Sequence, residues 1–189
     1  MNRSNKQEVQ PASLEACTPW IENPILDMLL QSNCRIAIMK INGQWRIVLR
    51  HIIVCGDTEH YLKKGVCLSM EQICALLHDF NTIDESMINK KDTRLFHIKN
   101  NMFVSVSNKF QGLNIRIYFN SENGLTPTKR GVFLRNQGWQ NLRAILIDLE
   151  NIILDIKHFT PCNIRFDHLS IIGRLGCPNC NPNSYKEWN

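Results

Sequence analysis

The strongest constraint on the fold of this chain is an internal duplication. Residues 34–80 and 103–149 show the same order of features, namely alternating apolar residues, a basic pair followed by Gly-Val, and an apolar helical stripe. Three pairs of residues are each 66 positions apart: Arg50 and Arg116, Gly65 and Gly131, and Ile73 and Trp139. Self-similarity at a fixed period indicates two copies of one structural unit. Units of about 60 residues are only marginally stable alone, so packing of the two repeats against one another would help to stabilise both.

The composition predicts a globular, intracellular protein. The chain is 43% hydrophobic and 21% charged, which is enough apolar material for a core. No apolar run approaches the ~18 residues that a membrane span needs, and residues 1–10 lack the apolar core of a secretory signal. The net charge is +5, and residues 99–143 hold seven Lys or Arg against one acidic residue. In such a composition, four cysteines are expected to be reduced core thiols: Cys34, Cys55, Cys67 and Cys74.

The first repeat, residues 25–80, reads as several strands followed by one helix. Strand-like runs cover residues 35–40, 45–54 and 61–68, and Asn42-Gly43 between the first two is a strong hairpin signal. Ser69 with Gln72 three residues later forms a capping-box pattern that predicts the start of a helix. Residues 1–24, which contain three prolines, are expected to form a flexible arm, and the polar residues 81–94 a linker.

The second repeat, residues 95–157, follows the same order. Strands are predicted at 95–98, 103–107, 115–119 and 129–134, with a turn at 122–124 and one long helix over 136–157. The helix has apolar residues at spacings of three and four: Trp139, Leu142, Ile145, Leu146, Leu149, Ile152, Ile153 and Ile156. Such a face needs a partner, and Trp139 within it is expected to be a core residue.

The tail, residues 158–189, carries possible metal ligands. Cys177 and Cys180 form a Cys-x-x-Cys pair, and His158 with Cys162 completes four ligands of the types that tetrahedral zinc prefers. His168 is equally available as the imidazole. The alternatives to a structural zinc ion are a loosely packed tail without metal and, less in keeping with its context, redox chemistry at the cysteine pair.

The second repeat also resembles a known family. The resemblance is carried by Phe96-His97-Ile98, Phe103-Val104-Ser105-Val106, Phe110-Gln111-Gly112, Ile115-Arg116-Ile117-Tyr118, Lys129-Arg130-Gly131-Val132-Phe133-Leu134, and Trp139 with Leu142. In order and spacing these motifs resemble the C-terminal domain of positive cofactor 4, a transcriptional coactivator family that binds single-stranded DNA. The resemblance implies an α+β fold, in which a curved antiparallel four-stranded sheet is followed by a helix. The first repeat looks like a divergent copy, so tandem copies imply an intramolecular pseudo-dimer.

The resemblance also implies which residues contact nucleic acid. In the second repeat they are Phe110 and Gln111 at a hairpin tip, Arg116, Phe119, and the basic pair Lys129 and Arg130. The matching places in the first repeat hold Ile41, Asn42, Arg50, Ile53, Lys63 and Lys64, so its basic positions are kept better than its aromatic ones. The neighbouring cations Lys40, Arg46 and Lys109 complete the candidate set. Cationic groups that follow phosphates and aromatic faces that stack on bases are what single-stranded nucleic acid requires.

Three functions fit these observations. The first is non-catalytic binding of single-stranded DNA, RNA or melted duplex in nuclear transcription or replication. The second is a protein-interaction module that keeps the fold and recruits transcription or replication proteins through the long helix or the tail. The third, binding of duplex nucleic acid, is not separable from the first by sequence. If the repeats do not pair within one chain, a homodimer is expected. No nucleophile–base pair, Gly-rich phosphate loop or metalloprotease motif is present, so the chain is not expected to be an enzyme.

Overall fold

A computed structural model describes residues 23–89, 95–122, 124–162, 168, 170–177 and 180–181, without the side chains of residues 157 and 158. The first repeat contains β1 (Leu26–Gln31), β2 (Cys34–Ile41), β3 (Gln44–Cys55), β4 (Thr58–Ser69) and helix α1 (Met70–Asn89). The second contains β5 (Leu95–His97), β6 (Met102–Ser107), β7 (Gly112–Ser121), β8 (Gly124–Arg135) and α2 (Asn136–Ile152). Two short helices follow, α3 (Leu154–His158) and α4 (Ile171–Gly176). Each repeat is therefore a four-stranded antiparallel sheet followed by a helix, which confirms the α+β fold class.

Local sequence signals explain the turns and the helix start. Asn42 and Gly43 connect β2 to β3 with φ values of 52° and 75°, the left-handed conformation that an Asn-Gly hairpin turn requires. The capping box at α1 is also present. The Ser69 N–H donates to Gln72 Oε1 at 2.8 Å, and the Gln72 N–H donates to Ser69 Oγ at 3.3 Å. Both sequence predictions are confirmed.

The two sheets share strand order and register. In the first, Arg50 pairs with Gly65 and the hairpin ends at Cys55 opposite Thr58. In the second, Arg116 pairs with Gly131 and the hairpin ends at Ser121 opposite Gly124. Equivalent residues of β3–β4 and β7–β8 are therefore 66 positions apart in sequence. Equivalent residues of β2 and β6 are 68 positions apart, because Cys34 pairs with His51 in the first sheet where Met102 pairs with Ile117 in the second.

A single apolar core contains residues of both repeats. Helix α1 contacts β6, helix α2 contacts β1, and β4 lies against β8. Trp139 is fully buried at the contact between the helices, where its indole N–H donates to Asp84 Oδ1 at 2.6 Å and its ring meets Phe80 edge-on at 5.2 Å. Arg143 completes this contact with an ion pair to Asp84 Oδ2 at 3.0 Å. The expectation that Trp139 is a core residue is confirmed.

Polar contacts also join the repeats at their turns. The Gln31 side chain donates from Nε2 to the Phe133 carbonyl at 2.9 Å, and its Oε1 accepts from the Arg135 N–H at 3.0 Å. The Gln31 side chain therefore forms hydrogen bonds with two backbone groups at the end of β8. In the other direction, Gln72 of α1 donates to the Lys99 carbonyl in the β5–β6 turn at 3.2 Å.

Two predicted boundaries are wrong. Residues 81–89 belong to α1 rather than to a linker, because Ile83 and Met87 continue the apolar stripe of Phe80, and Ile83 is fully buried. Residues 90–94 of that linker and residues 1–22 of the expected arm lie outside the described residues. The helix predicted over 136–157 is interrupted at Ile153, which has φ −108° and ψ 93°. The interruption buries both Ile153 and Ile156, while Ile152 is 67% exposed.

The cysteine prediction is correct in part. Cys34 and Cys74 are buried thiols, whereas Cys55 and Cys67 are exposed. Cys55 ends β3 at the distal hairpin, and Cys67 alternates with the core residues Val66 and Leu68 on β4, which places its side chain on the opposite face. Within the described ranges, no helix combines the length and apolar character needed to span a bilayer.

Candidate nucleic-acid interface

The predicted basic pairs lie in matched bulges. In each repeat, three residues of the last strand, 62–64 and 128–130, stand opposite one residue of the preceding strand, His51 or Ile117. A bulge bends its strand and redirects its side chains. Lys63 and Lys64 are exposed in the first bulge, and Lys129 and Arg130 are exposed in the second. The structure therefore presents the two pairs in equivalent positions.

Side-chain hydrogen bonds organise the second bulge. Thr128 Oγ1 donates to the Ile117 carbonyl at 2.7 Å and accepts from the Arg130 N–H at 3.1 Å. Arg116 donates from Nη1 to the Thr128 carbonyl at 2.6 Å and reaches Asn114 Oδ1 with Nη2 at 3.4 Å. The guanidinium is therefore held beside the basic pair. Thr128 was not predicted, and its place in the first repeat is taken by Leu62, which has no hydroxyl group.

The Arg–Gly pairs that mark the repeats have a steric explanation. A Cβ on Gly131 would lie 2.8 Å from Cγ and 2.9 Å from Cβ of Arg116. A Cβ on Gly65 would lie 3.2 Å from Cγ of Arg50 and would also meet the Leu49 carbonyl oxygen. Gly131 therefore leaves the space that the Arg116 side chain occupies, whereas at Gly65 the tighter restriction is the backbone of β3.

A groove lies on the outer face of the second sheet, which is the face turned away from the shared core. Its volume is about 320 Å³, and its lining residues are Ser105, Asn114, Arg116, Tyr118, Pro127, Thr128 and Lys129. Phe103 borders Tyr118 with ring centroids 5.1 Å apart, and His97 stacks on Phe103 at 4.6 Å. Burial, aided by the charge of Lys99, lowers the pKa of His97 to about 4, so this ring is neutral at physiological pH. Phe103 is only 2% exposed and packs against Tyr118, so the groove combines one accessible aromatic ring, that of Tyr118, with the cations Arg116 and Lys129.

Sequence reasoning missed Tyr118, Asn114 and Phe103 as site residues. The signal was present, because side chains two positions apart on a strand share a face. Asn114, Arg116 and Tyr118 follow this spacing on β7, and Phe103 pairs directly with Arg116 across the ladder. The aromatic residues that the resemblance implies lie instead at the strand ends.

Those strand-end residues are not brought together. Lys109, Phe110 and Gln111 form the β6–β7 turn, where Phe110 is 64% exposed and the Lys109 Nζ lies 5.5 Å above its ring. Phe119 is also exposed, but it lies seven residues after Gly112, roughly 23 Å along a strand. The hairpin tips also differ, since Asn42-Gly43 is a two-residue turn and 108–111 a four-residue turn.

The outer face of the first sheet has a different character. Arg35, at the position of Phe103 in the register, donates to Asp27 at 2.9 Å and to Glu59 at 2.7 Å. Arg46 donates to Gln44 Oε1 at 2.7 Å. The Lys40 Nζ, 4.8 Å above the Trp45 ring, lies on the opposite side of these strands, where Trp45 packs against the shared core. A small buried cluster separate from the shared core lies on the outer face: Ala37, Met39 and Val48. Acidic partners therefore offset the charge of Arg35.

A second cluster of functional groups lies in the C-terminal segment. The ligand atoms of Cys162, His168, Cys177 and Cys180 all lie within 4.8 Å of one another, so this cluster could hold a metal ion. His168 occupies the place that was predicted for His158, whose side chain lies outside the described part of the chain. Burial raises the pKa of the Cys162 thiol to about 12, and the Cys162 and Cys180 sulfurs are 3.3 Å apart. That separation is too long for a disulfide bond.

Comparison with known proteins adds no assignment to these sites. No protein-family model matches the chain, and no curated protein matches it. The candidate binding site therefore rests on the residues and contacts of the chain itself.

Proposed function

We propose that this chain is a non-catalytic protein that binds single-stranded DNA on the outer face of its second sheet. The observation that carries the proposal is the groove in which the half-buried Tyr118 ring lies beside Arg116 and Lys129, with Arg130 exposed in the same bulge. Cations in such a place attract phosphates, and exposed ring faces stack on bases with little sequence preference. A role in nuclear transcription or replication is part of the proposal and rests on the resemblance to the coactivator family.

The first repeat is proposed to contribute less. Its Arg35, at the position of Phe103, is engaged by Asp27 and Glu59, and the aliphatic Ile52 stands at the position of Tyr118. Lys63 and Lys64 remain exposed and can attract phosphate without stacking. We therefore expect one strong groove and one weak electrostatic surface.

The two repeats are proposed to form an intramolecular pseudo-dimer. Reciprocal contacts support this arrangement. Gln72 of α1 reaches Lys99 in the β5–β6 turn, and Gly138 of α2 abuts Gln31 at the β1–β2 turn. Gln72 and Gly138 are 66 positions apart, and Gln31 and Lys99 are 68 apart, matching the offsets of the strands. Such reciprocity is typical of a two-fold interface. Sedimentation of the full chain should give a monomer, and a stable dimer would support pairing between chains instead.

A charge-removal experiment tests the binding site. Single-strand affinity is measured across salt concentrations for the full chain and for the double variant K129A/R130A. Each lost phosphate contact reduces the log–log salt slope by about 0.7, so we expect a reduction of about 1.4. The matched control is K63A/K64A, which removes the equivalent pair from the first bulge and should change the slope less. Equal effects of the two double variants would refute the assignment to the second repeat.

A stacking experiment tests the aromatic part of the groove. Replacement of Tyr118 by Ala removes one ring face, and the loss of one stacked base weakens binding by about 1–3 kcal/mol, roughly 5- to 150-fold. Y61A is a suitable control, because Tyr61 lies in the first repeat, outside the proposed groove. An unchanged affinity of Y118A would remove Tyr118 from the site.

A second candidate function is protein recruitment through the end of α2. Ile147, Ile152 and Leu154 expose 46%, 67% and 64% of their surface, an apolar character that suits a protein partner. This function would replace the first if the full chain binds no single strand at low salt and binds a transcription or replication protein in a purified system.

We also propose that the metal of the C-terminal cluster is zinc with a structural role. Three cysteines and one histidine are a ligand set of structural zinc sites, and a tetrahedral ion with Zn–S bonds of about 2.3 Å fits sulfurs separated by less than 5 Å. Elemental analysis of protein purified under reducing conditions should give one zinc per chain. A metal-free chain with a Cys162–Cys180 disulfide would contradict this proposal.

A further inference from the structure

Lys99 is an unusual residue in the β5–β6 turn. It is only 3% exposed, although lysine is rarely buried without a charged partner. Lys99, Asn100 and Asn101 have φ values of 79°, 51° and 60°, so three consecutive residues adopt the left-handed conformation. Asparagine adopts it readily, but lysine does not. Such a conformation persists where surrounding contacts hold it in place.

The contacts of Lys99 lead to the metal-ligand cluster. Its Nζ donates to Cys180 Sγ at 3.0 Å, and Cys180 is itself 8% exposed. Its carbonyl accepts from Gln72 Nε2 at 3.2 Å and from the Met102 N–H at 3.0 Å. One residue therefore joins a thiol of the C-terminal segment to the second sheet and to α1 of the first repeat.

The charge of the proposed zinc site explains why a cation is needed there. A zinc ion has charge +2, three cysteine thiolates contribute −3, and a neutral imidazole contributes none, so the filled site has a net charge of −1. Burying an uncompensated charge is unfavourable, and a hydrogen-bonded counter-charge reduces that penalty. The Lys99 ammonium supplies the missing positive charge next to the Cys180 sulfur.

We propose that Lys99 is the charge-balancing residue of this metal centre, an inference that rests on the zinc site proposed above. It is a positioning residue, since it acts on the metal through the Cys180 thiolate. The filled centre then attaches the C-terminal segment to the turn that also contacts α1. In the first repeat the corresponding position is Gln31, a neutral side chain that contacts β8 instead. Of these two equivalent residues, Lys99 contacts a proposed metal ligand and Gln31 does not.

The test uses the full chain and the variants K99M, K99R and K109M. Zinc content is measured by elemental analysis, and zinc affinity by competition with a chromophoric chelator. Loss of a residue that contacts a metal ligand weakens metal binding by about 10- to 100-fold, and we expect this of K99M. K99R keeps the charge and should recover most of the affinity. K109M removes an exposed lysine away from the metal-ligand cluster and should match the natural chain in zinc content and zinc affinity.

Cobalt substitution supplies a second readout. A hydrogen bond from an ammonium group alters the thiolate-to-cobalt charge-transfer band, so the band should move in K99M and in K99R relative to K109M. If K99M does not fold, the band in K99R carries the test, and an unchanged band would overturn the inference. If the natural chain and folded K99M bind zinc with the same affinity, the proposed role of Lys99 is overturned, although the zinc site itself is supported. A natural chain that binds no zinc would overturn both.

Discussion

Gly138 in α2 offers a quantitative test of the contact between the repeats. A Cβ added to Gly138 would lie 3.0 Å from Cδ of Gln31 and even closer to Oε1, whereas its contact with Gln31 Cβ at 3.4 Å is ordinary. Replacement of Gly138 by Ala should therefore displace the Gln31 amide. The displaced amide loses its hydrogen bonds to Phe133 and Arg135.

The expected magnitude follows from these contacts. Two hydrogen bonds contribute about 1 kcal/mol each, so their loss lowers the free energy of unfolding by about 2 kcal/mol. Alanine is more favourable than glycine in a helix by up to about 1 kcal/mol, which offsets part of this loss. G138A should therefore be destabilised by about 1–2 kcal/mol.

A double-mutant cycle makes the test sharp. Q31A removes the atoms that a Cβ at position 138 would approach, so in the Q31A background the G138A substitution should be neutral or stabilising by up to about 1 kcal/mol. The free energies of unfolding are measured by urea denaturation of all four proteins, with unchanged m-values as the check on two-state behaviour. Equal destabilisation by G138A in both backgrounds would refute the steric reasoning.

Four further predictions concern other parts of the chain. D84A removes the acceptor of the Trp139 indole N–H, and we expect a loss of about 1.5–3 kcal/mol in urea denaturation; a change below 0.5 kcal/mol would contradict the role of this contact. T128V removes the hydroxyl that organises the second bulge, so single-strand affinity should fall with the fold intact by circular dichroism, and unchanged affinity would show that the bulge geometry does not matter. Burial raises the pKa of Cys34 to about 12, so brief alkylation at pH 8 should modify exposed Cys55 and spare Cys34, as read by peptide mass spectrometry. The folded-state pKa of Cys34 is raised above its ordinary value of 9.0, so the contribution of Cys34 to the free energy of unfolding is constant below pH 9 and falls between pH 9 and about 12. A free energy of unfolding that does not change in that window would contradict the burial effect.

The parts of the fold that local chemistry determines were predictable from the sequence. The Asn42-Gly43 turn and the Ser69–Gln72 capping box depend on neighbouring residues, and the structure contains both. The ends of the helices were not predictable in this way. Helix α1 continues past Phe80 because Ile83 is buried in the shared core. Helix α2 ends before Ile153, because the free energy gained by burying Ile153 and Ile156 exceeds that of continuing the helix. Both outcomes depend on packing between distant segments.

The candidate site was predictable to a similar extent. The basic pairs were found because they recur at matched positions. The shared face of Asn114, Arg116 and Tyr118 could have been found from their spacing on β7, but the contact of Tyr118 with Phe103 depends on the pairing of β6 with β7. The metal-ligand cluster shows the same limit. Spacing along the chain does not distinguish His158 from His168, and only the folded segment brings His168 to the three cysteines.

The measurement that tests the central claim most directly is fluorescence anisotropy of labelled oligonucleotides. The full chain is titrated into single-stranded and duplex DNA of equal length at two salt concentrations. We expect tighter binding of the single strand, an affinity that falls with salt, and loss of most of the preference in Y118A. Equal affinity for both forms would contradict the stacking groove, and no binding at low salt would contradict the proposed function as a whole.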